Sequence, residues 1–169
     1  IEALQIEQPD LKLIPPNLDF IVEGDPVKMR VTIASAEEVR CMQQNVYFEA
    51  RGEAMKGMEA VAQVTMNRAT DPRFPHTVCG VVHEQKKKGI CQFSWFCNST
   101  MRRGPTLKHE SEVSAWETAG QVAQMAFDGT LANLVGGATH YHAAYVHPKW
   151  ARSLERIVRI GSHIFYRED

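Results

Sequence analysis

A chain of 169 residues with 44% hydrophobic side chains is long enough for one domain with a core of its own. Its formal net charge of -1 and the isolation of its one dense basic run, Lys86-Lys87-Lys88, exclude the positive field of a nucleic-acid binder. No apolar run approaches the roughly 20 residues that a membrane-spanning helix needs, so neither nucleic acid nor membrane insertion is expected. The chain opens at Ile1 without a charged segment and apolar core of the signal-peptide kind, as a processed secreted form does and as an excised fragment does.

Residues 1–33 contain Pro9, Pro15, Pro16 and Pro26 among scattered β-formers, which predicts an extended N-terminal arm or linker and leaves residues 34–169 as the folded domain. Ser35 and Glu38 have capping-box spacing, and Val39, Met42, Val46 and Ala50 recur at helical spacing, so a helix is predicted over residues 36–50. That helix carries Glu49 on its last turn, after Tyr47 and Phe48 and just before Gly52. Two readings of Glu49 stand open on the residues alone. Withdrawn from water among rings, it would hold its proton near neutral pH and serve as a general acid. Left on a solvated face, Glu49 and Glu53 would pair with Arg51 or Lys56 for a few tenths of a kcal/mol.

Met58, Val61, Ala62 and Thr65 mark a second helix that closes on Asn67-Arg68, and the prolines at 72 and 75 force a turn after it. Thr77 then caps a short helix through Val78, Val81 and Val82, and residues 86–89 form a charged loop tip. Residues 91–95 alternate polar and bulky side chains, as a strand or extended cleft wall would. On that reading Gln92, Ser94 and Trp95 contact sugar, whereas the plainer alternative puts Phe93 and Trp95 in the core. Gly104-Pro105 breaks the chain, and residues 111–127 form an amphipathic helix with Trp116, Ala119, Ala123 and Phe127 on one stripe. The stretches 138–146 and 157–166, the second around Gly161, are β-rich and can pair as a small sheet.

Four cysteines, Cys41, Cys79, Cys91 and Cys97, lack the spacing of a zinc cluster and fit either disulfides or buried thiols. A Cys91–Cys97 bridge would staple residues 92–96, with a gain of about 2–3 kcal/mol, and would imply an oxidising compartment. Cys41, on the apolar side of the first helix, is expected to be buried. His140 and His142 share a face if their segment is a strand, with His147 nearby, which is a conceivable zinc site. No H-E-x-x-H cue accompanies them, so they are read, with Tyr141, Tyr145 and Trp150, as polysaccharide contacts, and no metal or other cofactor is expected. A serine or cysteine nucleophile has no G-x-S-x-G elbow or activated thiol to rest on.

Taken together, Y-F-E-A-R-G-E, G-M-E-A-V-A-Q-V-T-M-N-R, R-F-P-H-T-V-C-G-V-V, C-Q-F-S-W, G-A-T-H-Y-H-A-A-Y-V-H-P-K-W-A and R-I-G-S-H-I-F-Y-R resemble the catalytic domain of the spore-cortex-lytic cell-wall hydrolases. The resemblance runs in order from Cys41 to Arg167 and does not extend to residues 1–33, which lack the tandem peptidoglycan-binding repeat of the spore enzymes. It implies a mainly helical α+β fold, a lysozyme-like catalytic domain with a small β-rich subdomain. It also implies a lytic transglycosylase that cuts the β-1,4 bond between N-acetylmuramic acid and N-acetylglucosamine in peptidoglycan glycan strands, in the periplasm or at the cell wall outside the cell. Its essential glutamate corresponds to Glu49. Glu53 is expected among the substrate-side residues, as a structural or loop-orienting group. Three alternatives remain: a hydrolytic muramidase using Glu49 and Glu53, a zinc-dependent wall amidase or peptidase, and a wall-binding module without turnover.

Overall fold

The computed structural model describes residues 35–168; the arm expected for residues 1–33 lies outside the described residues. Helix α1 (Ala36–Ala50) has the predicted bounds and begins where Ser35 Oγ accepts the amide of Glu38 at 3.2 Å. Glu38 does not fold back to complete the box. Its carboxylate instead takes the amides of Val78 at 2.7 Å and Cys79 at 3.3 Å, which would otherwise be orphaned at the start of α3 (Val78–Val82). A disulfide between Cys41 and Cys79 fastens the same two helices, so Cys41 is buried as half of a bridge.

Helix α2 (Met55–Thr70) turns Met58, Val61, Ala62 and Thr65 inward, and α5 (Glu110–Phe127) lays Ala119, Val122, Ala123 and Ala126 against the same core. Small residues on α5 let the helices approach closely, while Tyr47 and Met42 of α1 fill the space between them. Glu112 caps α5 by accepting the amides of Lys108 and His109 at 2.9 and 3.2 Å. At the centre, the fully buried Asn45 gives its amide to Thr65 Oγ1 at 3.1 Å and accepts the indole N–H of Trp95 at 3.1 Å. Satisfying both ends of that amide avoids the desolvation cost of an unpaired group, about 1–3 kcal/mol.

The charged tip is a hairpin: β1 (Gln85–Lys87) pairs antiparallel with β2 (Ile90–Cys91) across Lys88-Gly89, where Gly89 takes φ +80°. Residues 92–95 do not form the predicted extended wall. The chain bends into the short helix α4 (Ser94–Cys97), and the Cys91–Cys97 disulfide shows why. Six extended residues would span about 20 Å, yet the bridge holds the two Cα atoms 5.7 Å apart.

The second β-rich region forms a three-stranded antiparallel sheet, as expected, in the order β3 (His140–Ala143), β5 (His163–Arg167), β4 (Glu155–Ile160). Gly161 at φ +55° and Ser162 turn β4 into β5, and Tyr141 pairs with Phe165 in register. Phe165 buries itself with Ala60 and Val64 of α2 and with Val135 and Ala138, forming a second apolar cluster where the sheet meets the helices. Tyr141 touches both clusters, and that contact brings it to the end of α1.

Candidate active site

Glu49 stands on the last turn of α1, and its Oε2 accepts the hydroxyl of Tyr141 at 2.9 Å. Helix periodicity sends Tyr47 and Ala50 into the core, while Glu49 is aimed toward β3 across the joint between helices and sheet. Burial pushes the Glu49 carboxyl above the ordinary glutamate range. The Tyr141 hydrogen bond and the positive charge of Arg68 pull it back only in part. The Tyr141 phenol is itself held well above its usual value, chiefly by burial and then by the Glu49 charge, so it remains a donor throughout the working pH range.

Arg68, on the last turn of α2, is 2% exposed, and its Nε donates to Thr139 O at 2.6 Å. The guanidinium lies 5.4 Å from the ring centroids of both Phe74 and Phe93, an aromatic sandwich that suits a desolvated cation. Burial lowers its pKa from the usual arginine value, against the opposing pull of Tyr141, Glu84 and Glu49. Local pattern carries no sign of this: an arginine closing a helix reads as a solvated partner of the helix dipole.

The other predicted site residues are dispersed over the fold. Glu53 is turned to the sheet: it accepts the amide of Ser162 at 3.2 Å and the Ser162 hydroxyl, and lies 3.6 Å from His163 Nδ1. Trp95 is a correction. At 4% exposed it packs its ring on Phe48, with centroids 4.9 Å apart, and commits its indole N–H to Asn45, so it belongs to the core and not to a sugar-binding wall. Gln92 is half-buried beside it with its backbone amide on Glu84 O at 2.9 Å, and Ser94 is exposed at the start of α4.

The sheet separates the histidines from the acid. Register sets Tyr141 opposite Phe165 on the helix-facing side, whereas His140 stands opposite Tyr166 on the reverse side with His142. There both imidazoles pack on Trp150, with centroids 5.5 and 5.6 Å away. His142 also has both nitrogens engaged, with Ala143 O at 2.9 Å and the Tyr166 hydroxyl at 2.9 Å. His147 is exposed with Nδ1 on Val146 O, and among the described residues no group of three or more His, Cys, Asp or Glu side chains is placed to hold a metal. Tyr145, 84% exposed in the turn after β3, presents an open ring face. An open cleft flanks the C-terminal end of α1, lined by Phe48, Arg51, Thr100, Met101, Pro105 and Glu112.

A family model described as Cell Wall Hydrolase matches residues 52–166, beginning three residues after Glu49. Spore cortex-lytic enzymes are among the similar curated proteins. The one from Halalkalibacterium halodurans is 34% identical over 78% of this chain and 35% of its own length; that from Bacillus cereus is 31% identical over 78% and 44%. The chain thus spans less than half the length of these relatives. Among solved structures, the catalytic domain of the germination-specific lytic transglycosylase SleB from Bacillus anthracis superposes with a TM-score of 0.64 at 30% identity, over 80% of this chain and 98% of that one. The catalytic domain of the Bacillus cereus SleB protein gives 0.62 at 30% identity. The fold is therefore the expected lysozyme-like one, mainly helical with a small sheet, and the chain belongs to the cell wall hydrolase family.

Proposed function

We propose that this domain is a peptidoglycan lytic transglycosylase with Glu49 as its sole proton-transfer group. The observation that carries the reading is a single carboxyl, its pKa raised by burial and its position held by the Tyr141 hydroxyl, at the joint between helices and sheet. Family membership and the lytic transglycosylase activity named for the Bacillus anthracis relative support the choice of reaction. Protonated Glu49 donates to the glycosidic oxygen leaving the muramyl C1, and an oxocarbenium-like centre develops there. The resulting carboxylate takes the proton from the muramyl C6 hydroxyl, whose oxygen closes on C1 to give a 1,6-anhydro ring. Tyr141 and Arg68 stabilise the carboxylate between the two transfers, because a donor and a positive charge both favour the ionised form.

A hydrolase of the usual kind needs a second carboxylate free to activate water or attack the sugar. Glu53, the candidate from the motif, has its carboxylate engaged by Ser162. The exposed Tyr145 ring is proposed as a stacking surface for sugar, and Ser94 and Gln92 as polar contacts to it. Two disulfides support a working compartment outside the reducing cytosol, which we take to be the periplasm or the wall.

The test is to digest purified peptidoglycan and weigh the fragments. Muramyl ends one water lighter than hydrolytic products are expected, and Glu49→Gln is expected to lower turnover by on the order of 100-fold or more while the fold survives. Reducing muramyl ends would replace the transglycosylase with a hydrolase. Intact glycan with cut peptides would discard glycosidic chemistry.

A further inference from the structure

The second carboxylate of the motif sits in a set of contacts that the proposed chemistry does not use. Glu53 follows α1 in the turn before α2, and its side chain is 12% exposed. It meets the tip of the β4–β5 hairpin, accepting the Ser162 amide at 3.2 and 3.3 Å through its two oxygens and the Ser162 hydroxyl through one of them. Gly161 suits the tip on two counts: its φ is +55°, which disfavours any side chain, and a Cβ there would displace the Glu53 carboxylate from its present position. The hairpin tip is thus shaped to receive this carboxylate.

The next residue carries the contact inward. His163 is buried, its Nδ1 has no hydrogen-bond partner and faces Glu53 Oε1 at 3.6 Å, and its ring meets the Tyr141 ring edge-on with centroids 5.3 Å apart. Tyr141 in turn holds Glu49 at 2.9 Å. Glu53 and Glu49 are therefore joined twice: by four residues of chain at the end of α1, and through Ser162, His163 and Tyr141 across the sheet.

We infer that Glu53 is a positioning residue, which docks the Gly161-Ser162-His163 tip on the α1–α2 turn and, through the His163 ring, fixes the Tyr141 hydroxyl on the Glu49 carboxyl. A closed circuit of this kind holds the phenol in place more firmly than the backbone ladder of β3 and β5 alone, since each contact limits the movement of the next. The inference rests on the proposed role of Glu49, but the geometry it describes is readable without turnover. The groups that face Glu49 are Tyr141 from β3 and Arg68 from α2. Only Tyr141 is touched by the Glu53 circuit.

The experiment follows the Glu49 carboxyl by NMR in the full chain, with carbon-13 at the glutamate side-chain carboxyls, across a pH titration of wild type, Glu53→Ala, Glu53→Gln, Ser162→Ala and Tyr141→Phe. Losing the Tyr141 donor raises the Glu49 midpoint, because a hydrogen bond to the charged form is removed. Glu53→Ala is expected to raise it in the same sense, and the Glu53→Ala, Tyr141→Phe double variant to add nothing further. Glu53→Gln, which keeps an oxygen for the Ser162 amide, is expected to recover most of the wild-type midpoint. In glycan assays Glu53→Ala should lower kcat about tenfold or more with little change in KM, while the muramyl ends stay anhydro. Should Glu53→Ala fail to fold, Ser162→Ala, which removes the hydroxyl donor to Glu53, gives the same comparison at smaller amplitude. An unmoved midpoint in Glu53→Ala, or shifts that add in the double variant, overturns the inference. So does a Glu53→Gln as damaging as Glu53→Ala, the mark of a carboxylate that acts on water. If wild type leaves glycan uncut, the functional proposal falls and the midpoints still decide the circuit.

Discussion

Glu49 combines a position that makes it useful with one that makes it costly. Burial at the joint raises its pKa, so the folded state disfavours the ionised carboxylate relative to the unfolded chain. The sign is that of a group whose folded value is raised: the stability it allows is fully present below the unfolded value, about 4.3, and is lost as pH rises through the folded value. Glu49→Gln, which keeps an oxygen for Tyr141, is therefore expected to melt higher than wild type at neutral pH. The gap should close as pH falls below about 4, and thermal melts across pH check it. Arg68 acts in the opposite sense by favouring the carboxylate. Arg68→Gln should move the alkaline limb of the pH–rate profile upward, because the acid then keeps its proton to higher pH. An unshifted limb would show that Arg68 serves only the aromatic sandwich and Thr139.

The elements differ in how their ends are fixed. Helix α1 is set by local chemistry, a serine cap and apolar residues at helical spacing, and its predicted and observed bounds coincide. The loop after β2 is set by a covalent tie, which turned a segment with strand-like alternation into α4. The two disulfides close loops of very different length, with sequence separations of 38 and 6. Chain entropy then assigns about 4 kcal/mol to the first and about 2 to the second. Replacing Cys41 and Cys79 by serine should therefore lower the melting temperature more than replacing Cys91 and Cys97, with reductant lowering wild type toward the double variant. Equal losses would mean that strain or residual unfolded structure outweighs loop length.

At the scale of the molecule, a helical core and a small sheet meet along α2, and the Glu49 carboxyl lies at their joint. No helix among the described residues is long and apolar enough to cross a membrane. Residues 1–33 carry none of the residues named in the site, so a chain lacking them is expected to keep its activity on soluble glycan fragments. A folded but inactive truncation would give those residues a part in the groove. Dialysis against a chelator should leave turnover unchanged, since His142 has both ring nitrogens committed and His147 stands apart. A stoichiometric metal whose removal abolishes activity would instead favour an amidase or peptidase.

The sequence by itself determined helices α1, α2, α3 and α5, the pairing of the two β-rich stretches and the candidacy of Glu49, because caps, periodicity and a contiguous motif are local and survive without knowledge of neighbours. Tertiary structure decided what each side chain faces. Trp95 could be a sugar platform or core until Asn45, 50 residues away in the chain, was found to take its indole N–H. His140 and His142 were rightly placed on one face of a strand, but which face looks toward the helices depends on the register against β5. Arg68 and His163 gave no signal because their significance is burial, and burial arises from contacts across the whole fold. Glu53 is the clearest case: four residues from Glu49 and of the same chemical type, its carboxylate is taken up by a hairpin tip that the chain supplies 109 residues later.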